Sequence, residues 1–175
     1  MKFLSIDNSN YNKPMKTLNA KSMKTNMNMK KSRKTDRIGN SLTRIQILNN
    51  SIKRGNQIFL LIYMEGCGPC NATRPEWKKV ENILGEKYKN KHDDIIVADI
   101  DHTLLKYVKP LFNPAGFPTM KYISQKGKYT QDYEKADISN KNRQVDSFIE
   151  WIEKTIKRNN SGGGRKTRKY TRKST

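Results

Sequence analysis

The feature that most constrains this sequence is a pair of cysteines, Cys67 and Cys70, placed directly after an apolar run. The run covers residues 58–64, and its seven consecutive apolar residues suit a strand buried on both faces while being too short to span a membrane. The apolar residues after the pair recur at the three- and four-residue spacing of an amphipathic helix: Trp77, Val80 and Leu84. The two cysteines therefore lie where a buried strand turns into a helix.

This placement indicates redox chemistry. Cys67 is expected at the first turn of the helix, where unpaired backbone N–H groups and the helix dipole stabilise an anion. Such surroundings lower the pKa of a thiol and provide a thiolate nucleophile near neutral pH. The chain contains no other cysteine, so the predicted redox pair is Cys67 and Cys70.

Charge is distributed unevenly along the 175 residues and separates a central domain from two basic ends. Residues 1–40 contain ten Lys or Arg and two acids, and residues 157–175 contain eight Lys or Arg and no acid. The segment between them carries eighteen Lys or Arg against fourteen acids. We therefore predict a disordered basic extension over 1–40, a globular domain over 41–158, and a Gly-rich linker with a basic tail over 159–175.

Within the globular domain, hydrophobic periodicity predicts the element order α-β-α-β-α-β-β-α. The predicted helices begin near Ser41, Gly68, Thr103 and Val145, and the last two strands form a hairpin around residues 125–127. This order predicts an α/β fold with parallel central strands, an antiparallel edge and helices on both faces of the sheet.

Three short motifs occur together in residues 41–158. They are Cys67-Gly68-Pro69-Cys70, a helix proline five residues later (Pro75), and Gly116-Phe117-Pro118-Thr119 before a strand. With these motifs the segment resembles the thioredoxin family. The resemblance implies the thioredoxin fold, a cis peptide bond before Pro118 that faces the cysteine pair, and a substrate groove shaped by Phe117, Pro118 and Thr119.

The sequence differs from the usual pattern of that family at three positions. Gly66 stands where the family usually has a tryptophan, Leu61 where many members bury an acid, and Asp99 where many reductases have a lysine. The family's acid exchanges a proton with the second thiol. Without it, deprotonation of Cys70 would rely on water or substrate, so we expect slower resolution of a mixed disulfide.

Position and resemblance together predict a thiol–disulfide oxidoreductase whose redox group is its own cysteine pair, with no other cofactor. Cys67 would attack a substrate disulfide as the nucleophile, and Cys70 would resolve the mixed disulfide. Gly68 and Pro69 form the active-site backbone, and this Gly-Pro interior resembles the reducing members of the family. The implied partners are protein disulfides and an electron-donating reductase or thiol, and the protein is expected to be a monomer.

Two alternatives stay open on the sequence alone. One is a disulfide-forming or isomerising enzyme that serves viral proteins, and the other is a non-catalytic, nucleic-acid-associated binding protein on the same scaffold. A structural zinc site is disfavoured, because the cysteines could be joined only by His92 and His102, whose spacing is not that of a zinc finger. Asp99 and Asp101 are interpreted as solvated caps at the end of a strand.

The C-terminal segment is rich in cations that could neutralise phosphates: Arg165, Lys166, Arg168, Lys169, Arg172 and Lys173. It could bind nucleic acid or another polyanion without sequence preference, contact an anionic membrane surface, act as a nuclear address, or keep the protein in solution. Its Gly-rich, basic ending on an Asn- and Lys-rich chain resembles proteins of large nucleocytoplasmic DNA viruses in composition. The opening residues become polar too soon for a signal peptide, so a cytoplasmic location is expected, in host cytoplasm or the virion if the chain is viral.

Overall fold

The computed structural model describes residues 1–8, 41–89, 91–110 and 112–161. The cations of the predicted basic tail lie outside these residues, and so does most of the predicted N-terminal extension. In the described part of the chain, no helix combines the length and the apolar character needed to cross a membrane.

A five-stranded mixed sheet forms the centre of the domain, with the strand order β1-β3-β2-β4-β5. Its strands are β1 (Lys2–Ile6), β2 (Gln57–Tyr63), β3 (Ile95–Asp101), β4 (Thr119–Ser124) and β5 (Tyr129–Asp132). β1, β3 and β2 run parallel, while β4 is antiparallel to β2 and β5 is antiparallel to β4. The predicted α/β architecture with parallel central strands and an antiparallel edge is confirmed.

Helices cover both faces of this sheet. The α-helices are α1 (Ser41–Arg54), α2 (Gly68–Lys87) and α3 (Val145–Ser161). A 3₁₀ helix, His102–Tyr107, follows β3 where the sequence predicts a short helix, and a second short 3₁₀ turn, Gln125–Gly127, joins β4 to β5. The predicted hairpin is therefore confirmed.

The N-terminal strand β1 is the main departure from the predicted fold. It lies within the segment 1–40 that is expected to be disordered, so that prediction is wrong for Lys2–Ile6. β1 pairs in parallel with β3, and Ile6 at its end is fully buried. Its five residues are too few to show a clear hydrophobic period. The strand is stabilised by pairing with β3, and a pattern within the strand does not reveal that pairing.

Hydrogen bonds attach the end of β1 to the start of α1. Ser41 Oγ donates to the carbonyl oxygen of Asp7 at 2.6 Å, and the guanidinium of Arg44 donates to the carbonyl oxygen of Ser5. Residues 9–40 connect these two places. The chain therefore leaves β1 and enters α1 at nearly the same point.

The two faces of the sheet are packed with different kinds of side chain. The face under α2 and α3, here called the aromatic layer, includes six buried aromatic residues: Phe59, Trp77, Tyr122, Tyr133, Phe148 and Trp151. Their rings meet tilted or edge-on, as aromatic pairs prefer, with the centroids of Phe59 and Trp151 5.2 Å apart. The face under α1, here called the aliphatic layer, is built from buried Ile, Leu, Val and Ala side chains such as Leu48 and Leu60.

Candidate active site

The cysteine pair lies at the carboxyl end of the parallel strands, between β2 and α2. Gly66 has φ = 76°, a left-handed conformation that glycine adopts without strain and that turns the chain out of the strand. Cys67 is the N-cap of α2, and its sulfur accepts the backbone N–H of Cys70 at 3.3 Å. The two sulfurs form a disulfide whose Cα atoms are 5.2 Å apart. The structure thus places the pair at the strand–helix junction that the sequence predicts.

The two sulfurs differ in accessibility. Cys70 is completely buried, at 0% exposure, whereas Cys67 is partly exposed. Gly68 and Pro69, in the first turn of α2 between the two cysteines, are exposed. This geometry suits an exposed nucleophile and a shielded resolving thiol, and those roles stay predictions.

The segment before β4 closes one side of the pair. The Phe117–Pro118 peptide bond is cis, as the resemblance implies. The carbonyl oxygen of Phe117 lies 3.7 Å from Cys67 Sγ, and Thr119 Oγ1 donates to the carbonyl oxygen of Gly116 at 2.6 Å. A groove of about 540 Å³ runs along this segment, and Phe117, Pro118 and Thr119 all line it. The three predicted groove residues are therefore brought together beside Cys67.

His102, which the sequence suggests only as a disfavoured zinc ligand, lies next to the segment before β4. His102 begins the 3₁₀ helix after β3, and its ring packs against that of Phe117 at an interplanar angle of 58°, with centroids 5.2 Å apart. Its Nδ1 is 3.5 Å from Asp101 Oδ1. The contact joins the ends of two different strands, so nothing in the spacing of the sequence indicates it.

A buried carboxyl group, that of Asp99, lies beneath α2. It is on β3, next to β2, the strand where the thioredoxin-like pattern would place an acid at position 61. Asp99 on β3 is the register partner of Leu61 on β2, and its side chain is 7% exposed. Ser5 Oγ donates to Asp99 Oδ2 at 3.1 Å, and Arg74 Nη2 lies 3.9 Å from the same oxygen. Burial raises the pKa of Asp99 above its usual value, although Ser5 and Arg74 oppose the shift.

The interpretation of Asp99 and Asp101 as solvated residues is wrong. Both are buried, Asp99 at 5% exposure and Asp101 at 2%. Asp101 does act as a cap, because its Oδ1 accepts the backbone N–H of Thr103 at 2.8 Å and the hydroxyl of the same residue at 2.6 Å. The sequence does not indicate the burial of Asp99, because this burial depends on β1, which pairs with β3 and places Ser5 against Asp99.

Arg74 connects this acid with the active-site helix. It follows Cys70 by four residues, so the two side chains share one face of α2. Its guanidinium carbon lies 3.6 Å from the ring centroid of Tyr63 at the end of β2, and burial raises the pKa of Tyr63. A cation is thus held between the helix that carries the resolving thiol and the buried carboxyl of Asp99.

The family of the chain follows from a comparison of its sequence with known families. The family model described as Thioredoxin matches residues 41–154, more than half of the chain. The chain belongs to the thioredoxin family. The matched residues of this thioredoxin-family chain include Cys67, Cys70 and Pro118, while β1 lies outside the match.

Relatives of this thioredoxin-family chain include protein disulfide-isomerases. Protein disulfide-isomerase 1 of Dictyostelium discoideum is 28% identical over 65% of this chain and 29% of its own length. Protein disulfide-isomerase A4 of Homo sapiens is 36% identical over 49% of this chain and 12% of its own length. Among solved structures, the first thioredoxin domain of mouse Protein disulfide-isomerase A4 has a TM-score of 0.44 at 22% identity, covering 73% of this chain and 79% of that domain. The chain spans less than a third of the length of the two curated relatives.

Proposed function

We propose that this thioredoxin-family chain is a thiol–disulfide oxidoreductase that reduces protein disulfides. The observation that carries the proposal is the pair itself, a partly exposed Cys67 at the N-cap of α2 bonded to a buried Cys70. A helix N-terminus stabilises negative charge on a sulfur. The names of the relatives, protein disulfide-isomerases, support thiol–disulfide exchange as the chemistry of the pair.

The proposed reaction starts from the reduced pair. The Cys67 thiolate attacks one sulfur of a substrate disulfide, a mixed disulfide forms, and the other substrate sulfur leaves as a thiolate. Cys70 loses its proton and attacks Cys67, which releases the second substrate sulfur and leaves the pair oxidised. Two electrons pass to the substrate. Both substrate sulfurs leave as thiolates and take up protons from the solvent, which also receives the protons that Cys67 and Cys70 have lost. A reductase or a small thiol then supplies two electrons and two protons to restore the pair.

Deprotonation of Cys70 requires a proton acceptor within the protein, because its sulfur is fully buried. Leu61 cannot serve, but Asp99 is its register partner and faces the same side of the sheet. The raised pKa of Asp99 brings the exchange of its proton closer to neutral pH, where a thiol can be its partner. Asp99 is therefore the residue proposed to take the role of the acid that is missing at position 61.

A disulfide-forming or isomerising enzyme is the second candidate. The names of the relatives favour it, whereas the Gly-Pro interior of Cys67-Gly68-Pro69-Cys70 favours reduction. Net reduction would also suit a reducing compartment such as the cytoplasm. The two candidates differ in the reduction potential of the same pair.

The deciding experiment is to equilibrate the full chain with glutathione buffers and to measure the reduction potential of the Cys67–Cys70 couple. A potential near about −270 mV supports reduction of protein disulfides, and a potential of about −180 to −120 mV supports disulfide donation or isomerisation. Absence of a reversible couple would remove both enzyme candidates and leave the binding scaffold.

Single substitutions of the pair test the assigned roles. Cys70→Ser should accumulate a mixed disulfide with a substrate protein, because the resolving thiol is gone, whereas Cys67→Ser should form none. Asn71→Ser, an exposed change on the same helix, is the matched control and should behave as the original chain. Accumulation with Cys67→Ser instead would reverse the two roles.

A further inference from the structure

Ion pairs are distributed unevenly over the described surface. Around α2, α3 and the β4–β5 edge, six cations pair with acids: Lys79–Glu76, Lys87–Glu153, Lys154–Glu150, Lys121–Asp132, Arg143–Glu134 and Arg158–Asp137. Other exposed lysines there, such as Lys78 and Lys157, have no ion pair among the described residues, but acids lie among them in the sequence. A second set of exposed cations, here called the basic surface, consists of Lys53, Arg54, Lys106, Lys109, Lys126 and Lys128. Within the described residues, none of these six takes part in an ion pair.

The fold brings three separate segments together to make the basic surface. Asn49 of α1 holds the segment after the 3₁₀ helix, donating to the carbonyl oxygen of Tyr107 at 2.8 Å and accepting the backbone N–H of Lys109 at 2.8 Å. The β4–β5 turn packs against both, since a Cβ added at Gly127 would lie 2.9 Å from Pro110 Cδ and 3.3 Å from Ile52 Cγ2. The C-terminal end of α1, the Lys109 segment and the turn are therefore one continuous surface.

The three segments that form the basic surface have no acid of their own. Residues 49–57, 105–110 and 123–131, which form the three segments, contain no Asp or Glu. The acid that follows the turn, Asp132, already pairs with Lys121. Asp94 lies beside Gln57 at the border of this surface, yet none of the six cations pairs with it within the described residues. The positive charge of the basic surface is therefore open to an external anion.

The surface also offers an exposed aromatic ring. Tyr129 follows Lys128 directly and is 42% exposed, with its ring 6.1 Å from that of Tyr122 between centroids. Cations that follow a phosphate backbone, next to an exposed aromatic ring on which a base can stack, are the elements that bind single-stranded nucleic acid without sequence preference. An exposed Tyr beside cations also suits a membrane interface, so the experiments below include anionic vesicles as a separate partner.

We propose that the basic surface binds single-stranded nucleic acid, with Lys53, Arg54, Lys126 and Lys128 contacting phosphates and Tyr129 stacking on a base. The β4–β5 turn lies at the opposite end of β4 from Pro118, and the six residues of β4 span about 20 Å. Bound nucleic acid therefore leaves the cysteine pair accessible. The proposal does not depend on the redox function, and a Cys67→Ser/Cys70→Ser variant is expected to bind equally well.

The test compares two variants of the full chain that lose the same charge. One carries Lys53→Gln, Arg54→Gln, Lys126→Gln and Lys128→Gln, and the matched control carries Lys79→Gln, Lys87→Gln, Lys154→Gln and Arg158→Gln, whose cations are already paired. Binding of a fluorescein-labelled 20-mer of deoxythymidine is followed by anisotropy over a series of salt concentrations. Circular dichroism confirms that both variants fold.

The first variant should bind at least tenfold more weakly at about 0.1 M salt, and its plot of log affinity against log salt should be shallower by about 3, at roughly 0.7 per lost phosphate contact. The control should change less than about threefold. Equal losses in the two variants would overturn the proposal, because binding would then follow net charge rather than this surface.

Tyr129→Ala separates nucleic acid from other polyanions. It should weaken binding of the oligonucleotide by about fivefold or more while leaving the binding of inorganic polyphosphate unchanged. Binding to vesicles of phosphatidylcholine and phosphatidylserine, with no measurable binding of the oligonucleotide, would overturn the proposal in favour of a membrane surface.

Discussion

The aromatic layer and the aliphatic layer pack against opposite faces of the same central strands, yet they differ in the functional groups that lie next to them. The aromatic layer supports α2 and borders the groups to which chemistry is assigned, namely the cysteine pair, Arg74 and Asp99. The aliphatic layer supports α1 and consists of buried Ile, Leu, Val and Ala side chains. We therefore expect substitutions in the aromatic layer to affect both stability and the proposed redox chemistry, and substitutions in the aliphatic layer to affect stability alone.

The largest effect is expected from removing the central ring of the aromatic layer. Trp151 is 1% exposed, and its ring contacts Phe59 and Tyr133 with centroids 5.2 Å away in each case. Trp151→Ala should lower the free energy of unfolding by about 4 kcal/mol, measured by guanidinium denaturation, because it leaves a large cavity. Trp151→Phe is the control and should cost less, since it keeps part of the ring contact.

A smaller loss is expected from the aliphatic layer. Leu48 of α1 is 0% exposed, and Leu48→Ala should lower the free energy of unfolding by about 3 kcal/mol. The reduction potential of the cysteine pair should stay unchanged, because Leu48 lies on the other face of the sheet. A shifted potential in this variant would break the separation between the two layers.

Asp99, on the side of the sheet that bears the aromatic layer, is expected to make the free energy of unfolding depend on pH. Burial raises its pKa in the folded state, so the folded protein holds a proton at pH values where the unfolded chain has lost it. Asp99 therefore contributes fully to stability below the pKa that it has in the unfolded chain. This contribution is lost as the pH rises through the higher pKa that it has in the folded protein. Asp99→Asn removes this loss, and urea denaturation should show the variant gaining stability relative to the original chain as the pH rises above about 4.

The control for Asp99→Asn is Asp93→Asn, an exposed change in the loop before β3, which should show no such gain. The same Asp99 variant should resolve a mixed disulfide more slowly, because the proposed proton acceptor for Cys70 is gone. If Asp99→Asn resolves the mixed disulfide at the original rate, Asp99 is not the proton acceptor for Cys70, and water or substrate takes that role.

The smallest effect is expected at the contact between β1 and the buried acid. Ser5→Ala removes the hydroxyl that donates to Asp99 Oδ2, and it should lower the free energy of unfolding by about 1 kcal/mol. It should also raise the pKa of Asp99 further, because that hydrogen bond favours the charged carboxylate. Ser5→Thr keeps the hydroxyl and should behave nearly as the original chain, provided the strand accommodates the added methyl group.

The sequence predicts the sheet, the helices and the cysteine pair because each depends on short-range pattern. The apolar run of residues 58–64, the spacing after Cys70 and the Phe117-Pro118-Thr119 motif are local, and the structure has β2, α2 and the cis bond where they indicate. Element type and the parallel or antiparallel direction of the central strands follow from such patterns by general rules of packing.

What the sequence does not predict depends on contacts between distant residues. β1 is stabilised by β3 more than ninety positions along the chain, and Asp99 is buried because Ser5 and Arg74 close around it. His102 meets Phe117 only because two strands end at the same edge of the sheet. Under the proposal made for Asp99, the acid that is missing at Leu61 is replaced from the neighbouring strand, and a comparison of motifs does not show such a replacement.

The hydrogen bond between Ser41 and Asp7 has a consequence for how this chain can vary. It holds the two ends of the connection formed by residues 9–40 together, so the connection starts and finishes at one place on the surface. The entropy of closing a loop grows only with the logarithm of its length, by about 0.6 kcal/mol for each doubling. A flexible segment inserted between Asp7 and Ser41 should therefore cost the folded domain little and leave the cysteine pair in place.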